Sequence, residues 1–197
     1  MAPSKLNRFL HPIVTPILRL LYRPQIVGLE NVPSDGAFIV CAPHSSNIDP
    51  FLMMCFIGRQ HQIHMMAKKE LFDAPVMGGI MRKTQMISVD RTTTDINSVR
   101  TAMAYLKDGE KLGMFPEGTR VSEGEAADAK SGIVRLADKV GVPVVPMYIP
   151  RIKPLFRKTP LVFGEPIYIN PSRVRLKAED FPPLVDDVMA RIKALAP

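Results

Sequence analysis

The chain is predicted to fold as an α/β domain, a mixed, mostly parallel central sheet flanked by helices, preceded by an N-terminal amphipathic helical segment. Three observations predict this. From residue 25 onward, short β-rich runs bounded by turn residues alternate with helix-length segments. A length of 197 residues with 46% hydrophobic and 23% charged side chains suits one core of ordinary density. The polar segments that carry candidate chemistry directly follow the apolar runs, as loops beyond strand ends do in such sheets.

In chain order, residues 1–24 come first and are treated as a unit apart from residues 25–197. They hold Lys5, Arg8, Arg19 and Arg23 and no acid, which is four of the seven excess positive charges. Leu6, Phe9, Leu10, Ile13, Val14, Ile17, Leu20 and Leu21 recur at spacings of three and four, along one helical face, with the cations mostly opposite. Such a helix either lies in an anionic bilayer interface or packs on the protein's own core. Pro12 and Pro16 each remove a backbone donor, so two short helical pieces are expected rather than one rod. The strands that follow are expected at 25–30, 38–42, 63–67, 86–89, 111–115, 142–149 and 160–169, and the helices at 50–57, 75–82, 94–107, 132–139 and 182–195.

Composition narrows the function classes. Gly at 12 and Cys at 2 exclude collagen-like and disulfide-scaffold chains, and Cys41 and Cys55 match no metal-ligand spacing and read as core residues. No apolar run reaches the ~18 residues of a spanning helix, and the first segment lacks a signal-peptide cleavage site, so a chain that neither crosses nor leaves through the membrane is expected. A net charge of +7 calls for an anionic partner, either nucleic acid, a phospholipid surface or a phosphorylated substrate. With Trp at 0 and Tyr at 4 the cations lack interleaved stacking aromatics, and nucleic acid is not expected as a partner.

Two segments stand out. In His44-Ser45-Ser46-Asn47-Ile48-Asp49-Pro50 the histidine precedes the aspartate by five positions in a polar turn. The carboxylate can fold back onto one ring nitrogen and leave the other free as a base, with a bound substrate hydroxyl as the group deprotonated. The competing reading is a surface histidine and an Asp49 that caps the helix opened by Pro50. In Phe115-Pro116-Glu117-Gly118-Thr119-Arg120, Gly118 admits a ligand close to backbone amides, Thr119 can donate, and Arg120 offers a planar fork for phosphate. The competing reading there is a plain turn. Lys68 in Ala67-Lys68-Lys69-Glu70 and Arg91 in Val89-Asp90-Arg91 are further cations at strand ends.

Taken in order with Val142 to Pro146 and Phe163-Gly164-Glu165-Pro166-Ile167, these blocks resemble the glycerolipid acyltransferases, specifically the bacterial 1-acyl-sn-glycerol-3-phosphate acyltransferases. One departure is Gln85, where that family usually has Gly. The resemblance implies His44 as general base oriented by Asp49, direct attack of the freed alkoxide on an acyl thioester, and an oxyanion donor at the Gly118 amide or its neighbours. It implies acceptor phosphate against Arg120, Lys68 and Arg91, and Glu117 and Thr119 in the acceptor site. The implied reaction makes phosphatidate from lysophosphatidate, with no metal or cofactor and with acyl-coenzyme A or acyl-carrier protein as co-substrate. A lysophospholipid acceptor and a long acyl chain both partition into membrane, so a peripheral position on the cytoplasmic face of the membrane is expected. Arg151, Lys153, Arg157 and Lys158 around Leu155-Phe156 form a second candidate contact with an anionic surface. Glycerol-3-phosphate or another lysolipid is the alternative acceptor, and a catalytically silent membrane-surface protein the alternative from another class.

Overall fold

The structure, a computed structural model, describes residues 5–58, 60–90, 92, 95–117 and 131–197, with side chains from residue 11 onward. Helix α1 (Lys5–Tyr22) leads into β1 (Pro24–Val27), and β2 (Ile39–Cys41) into α2 (Asp49–Phe56). Then come β3 (Ile63–Lys68), α3 (Lys69–Asp73), α4 (Met77–Lys83), β4 (Ile87–Val89), α5 (Ile96–Lys107) and β5 (Lys111–Met114). The chain closes with α6 (Gly132–Val140), β6 (Val144–Tyr148), β7 (Thr159–Phe163) and α7 (Phe181–Ala194).

The seven strands form one sheet in the order β1-β7-β6-β2-β5-β3-β4. The block from β6 to β4 is parallel, β7 pairs antiparallel with β6, and β1 pairs parallel with β7. The expected mixed, mostly parallel sheet is what the chain forms. Central β2 lies between β6 and β5, and residues 38–42 are wholly buried because both faces of the strand are covered. Ile39 and Cys41 point into a core shared with α5, α6 and α7, while Phe38, Val40 and Ala42 point into a second core shared with α1 and α2. At Gly113 on β5 a Cβ would run into Met65 Sδ, Met53 Sδ and Ile63 Cγ2, so a larger residue would force those side chains to repack.

Three expectations are corrected. Residues 5–22 form one helix rather than two pieces. Pro12 and Pro16 stand four apart and are both exposed, so the missing donors fall on one outer edge while the packed edge stays continuous. Leu18 is buried in the second core, with Val14 and Tyr22 packed against it, whereas Ile13, Ile17 and Leu20 are exposed. The helix therefore packs on the protein's own core along one edge and leaves a second apolar edge open. The strand expected over 160–169 stops at Phe163, because the Gly164 N–H turns to Pro146 O and the chain crosses to pair Ile167 with Val144. Residues 69–73, read only as a charged block, form a short helix. Gln85 adopts φ +58°, the left-handed region that glycine favours, held by its carbonyl accepting from His64 Nδ1 at 3.0 Å and its side chain accepting from Gln62 at 2.7 Å.

Candidate active site

The five parallel strands end on one edge of the sheet, and the segments that follow them gather there. Past β2 the chain turns at residues 43–48, and Asp49 shapes the turn from within. Its Oδ2 accepts the backbone N–H groups of Ser45 and Ser46, each at 2.7 Å, and lies 3.2 Å from His44 Nδ1. Asp49 is fully buried. The Ile48 position before α2 makes no side-chain cap, so the Asp49 carboxylate serves the preceding turn rather than the helix amides. With Nδ1 facing a carboxylate that only accepts, Nδ1 carries the proton and Nε2 keeps a free lone pair. The imidazole stacks on Phe115 at 4.2 Å and 15°, which fixes the ring plane, and its side chain is 14% exposed.

Two further groups close around the turn. Glu117, past β5, accepts the His44 backbone N–H through Oε2 at 2.7 Å. Lys153, past β6, brings its ammonium 2.9 Å from Asp49 Oδ1 with only 3% of its side chain exposed. That contact is an ion pair off the ideal hydrogen-bond direction. The same nitrogen donates to Pro150 O at 2.6 Å, Ser45 Oγ at 2.9 Å and Arg151 O at 3.2 Å. Ser45 Oγ also reaches Arg151 O at 3.3 Å, so the segments after β2 and β6 are tied side chain to backbone.

The electrostatics separate the acids. Burial pushes the Asp49 carboxyl up, but the hydrogen bond with His44, the Lys153 ammonium beside it and the Ser45 amide outweigh it and hold it below the usual carboxylate range. For Glu117 burial wins: its carboxyl is raised, despite the His44 N–H bond and the attraction of His44 and Arg151, with the Asp49 charge pushing it further up. The Cys41 thiol is pushed far up, by burial first and by the Glu117 charge second, which leaves no reactive thiolate at neutral pH.

Of the residues singled out in the sequence, the structure brings His44, Asp49 and Glu117 together. Lys68 ends β3, two strands from β2 and thus ~10 Å along the sheet, with half its side chain exposed and paired to Glu70 at 3.0 Å. Arg91, Gly118, Thr119 and Arg120 lie outside the described residues. Lys153 requires a correction, since it was read as a surface cation and is instead buried against Asp49. Arg151, Arg157 and Lys158 are exposed as expected. No local sequence signal marks Lys153; its place beside Asp49 follows from β6 lying next to β2 in the sheet.

Comparison with known proteins adds to this geometry. Residues 23–150 match the family model described as Acyltransferase. The chain is 34% identical over 189 residues to a 1-acyl-sn-glycerol-3-phosphate acyltransferase of Bacillus subtilis, covering 91% of each. A chloroplastic 1-acyl-sn-glycerol-3-phosphate acyltransferase of Brassica napus is 31% identical over 64% of this chain, which spans 37% of that protein. The crystal structure of the 1-acyl-sn-glycerophosphate acyltransferase PlsC from Thermotoga maritima superposes with a TM-score of 0.71 at 27% identity, covering 97% of this chain and 81% of the other.

Proposed function

We propose that this chain, which belongs to the acyltransferase family, transfers a fatty acyl group from an acyl thioester to the sn-2 hydroxyl of lysophosphatidate, forming phosphatidate. The observation that carries the reading is a histidine whose Nδ1 faces a buried, ionised Asp49 at 3.2 Å while its Nε2 is left without that restraint. His44 Nε2 takes the proton of the acceptor hydroxyl as the oxygen attacks the thioester carbonyl carbon. The tetrahedral oxyanion collapses with loss of the thiolate, and the imidazolium returns the proton to that sulfur. Asp49 fixes the imidazole tautomer and offsets the transient positive charge. Glu117 holds the backbone of the base itself through the His44 N–H. The Gly118 amide is the proposed oxyanion donor, and Arg120, Lys68 and Arg91 the proposed phosphate partners, with Thr119 beside them. Acyl-coenzyme A or acyl-carrier protein serves as co-substrate, and no cofactor or metal enters the reaction.

The lysolipid acceptor and the long acyl chain both partition into membrane, and the surface suits a peripheral seat on an anionic bilayer, which we place at its cytoplasmic face. No helix among the described residues is long and apolar enough to cross a membrane. Ile13, Ile17 and Leu20 of α1 and Ile152, Leu155 and Phe156 beyond β6 are exposed, and the Phe156 N–H bonds Leu21 O, joining the two apolar stretches into one surface. Arg19, Arg23, Arg151, Arg157 and Lys158 are exposed around it, each worth ~1 kcal/mol near anionic lipid. The test is transfer of a labelled acyl group to lysophosphatidate on anionic vesicles, with glycerol-3-phosphate and lysophosphatidylcholine as parallel acceptors. Phosphatidate formation that falls at least ~100-fold in His44→Ala supports the reading. No product from any acceptor with vesicle binding intact would transfer the weight to a silent membrane-surface protein.

A further inference from the structure

We infer that Lys153 is a positioning residue of the reaction, acting on the base through Asp49. The inference rests on the reading of His44 and Asp49 given above. Asp49 Oδ2 is committed to His44 and to two backbone amides, and its other oxygen is buried and needs a partner. The Lys153 ammonium answers it from a different loop, 2.9 Å away and almost wholly out of solvent. Held also by Pro150 O, Ser45 Oγ and Arg151 O, the ammonium cannot swing off to water without breaking a tie between the two loops. The carboxylate is thereby locked in rotation, and the imidazole with it.

The charge matters as much as the geometry. Around His44 stand two carboxyls, Asp49 and Glu117, and two cations, Lys153 and Arg151. Removing Lys153 leaves an uncompensated negative charge against the His44–Asp49 pair. A pair short of a cation takes up its proton at higher pH, which fills the free lone pair that the base needs. Loss of the lysine is therefore expected to appear as an upward move of the acid limb of the rate profile as well as a loss of rate.

The experiment measures kcat, KM for both substrates and the pH profile of kcat/KM on vesicles for Lys153→Met, Lys153→Gln and Lys153→Arg. Lys153→Met is expected to lose ~100-fold in kcat with KM within ~3-fold, the size of a small misplacement of the reacting group. Its acid limb is expected to rise by about one pH unit, because a cation that opposes the imidazolium has been removed. Lys153→Arg keeps the charge, so its limb stays at the wild-type position and its kcat recovers to within ~10-fold. Should Lys153→Met fail to fold, Lys153→Gln, which retains a donor for Asp49, is read in its place. A wild-type kcat and limb in the neutral variant would overturn the inference, and so would equal losses in all three variants with an unmoved limb, which mark a purely structural lysine. Failure of the underlying reading looks different, since His44→Ala would then retain activity or the wild type would form no product.

Discussion

Asp49 and Glu117 reach the same histidine from adjacent loops, one through the ring and one through the backbone, and their titrations are pushed in opposite directions. Both are carboxyls withdrawn from water. The difference is the number of donors: Asp49 has two amides, an imidazole and an ammonium, whereas Glu117 has one amide and more distant charges. Burial alone thus does not set the role of an acid at this edge; the count of donors aimed at it does. A carboxylate wrapped in donors is a fixed negative charge suited to orienting a base. One held by a single amide is a strut for the loop that carries the base.

The largest effect that would break this comparison is Asp49→Asn. It is expected to lower kcat by ~10³-fold, because the amide can present its donor face to Nδ1 and invert the tautomer. It also leaves the Lys153 ammonium without a counter-charge, at a cost of about 3 kcal/mol in denaturant unfolding. Glu117→Gln keeps an oxygen for the His44 N–H and is expected to cost only ~10-fold in kcat/KM, the order of one weakened positioning hydrogen bond. Steady-state kinetics on vesicles decide between them, and a larger loss in Glu117→Gln than in Asp49→Asn would exchange the two roles.

A smaller effect sharpens the same contrast through stability. The lowered Asp49 group stabilises the fold above the ordinary carboxylate pKa, and that contribution is lost as pH falls through its depressed value. The raised Glu117 group behaves in reverse: stability declines as pH rises from its ordinary value through the elevated one. Thermal melts should therefore show Asp49→Asn more destabilised at pH 7 than at pH 3, and Glu117→Gln gaining on the wild type as pH rises from 4 to 7. Differences of a few °C are expected in each direction. Parallel slopes in the two variants would remove the distinction.

The smallest effect comes from a control away from both acids. Gln85 carries left-handed backbone and is held by Gln62 and His64. Gln85→Gly removes the strain together with one hydrogen bond, whereas Gln85→Ala keeps the strain and loses the bond. The alanine variant should be about 1 kcal/mol less stable than the glycine variant by chemical denaturation. Activity profiles of both should keep the wild-type limbs.

Much of this site is legible in the chain because its central pair is local. His44 and Asp49 stand five positions apart in a turn rich in small polar residues, and the contact between them needs only that turn. Glu117 was marked by its motif, although its bond to the His44 backbone depends on β2 and β5 being neighbours. Lys153 was not legible, since its partner lies 104 positions earlier and nothing in Arg151-Ile152-Lys153-Pro154 separates a buried cation from an exposed one. The same blindness applied to α1, where one set of apolar residues divides between a packed edge and an open one.

By itself the sequence determined the α/β class, nearly every strand and helix, and the His44–Asp49 turn, because hydrophobic periodicity and short-range hydrogen bonding are properties of neighbouring residues. Only the tertiary structure decided which strands lie side by side, and with that which loops meet beyond β2, which lysine neutralises Asp49, and which edge of α1 stays open. Those outcomes come from burying two faces of one sheet at once, a choice made by the whole chain and written at no single position.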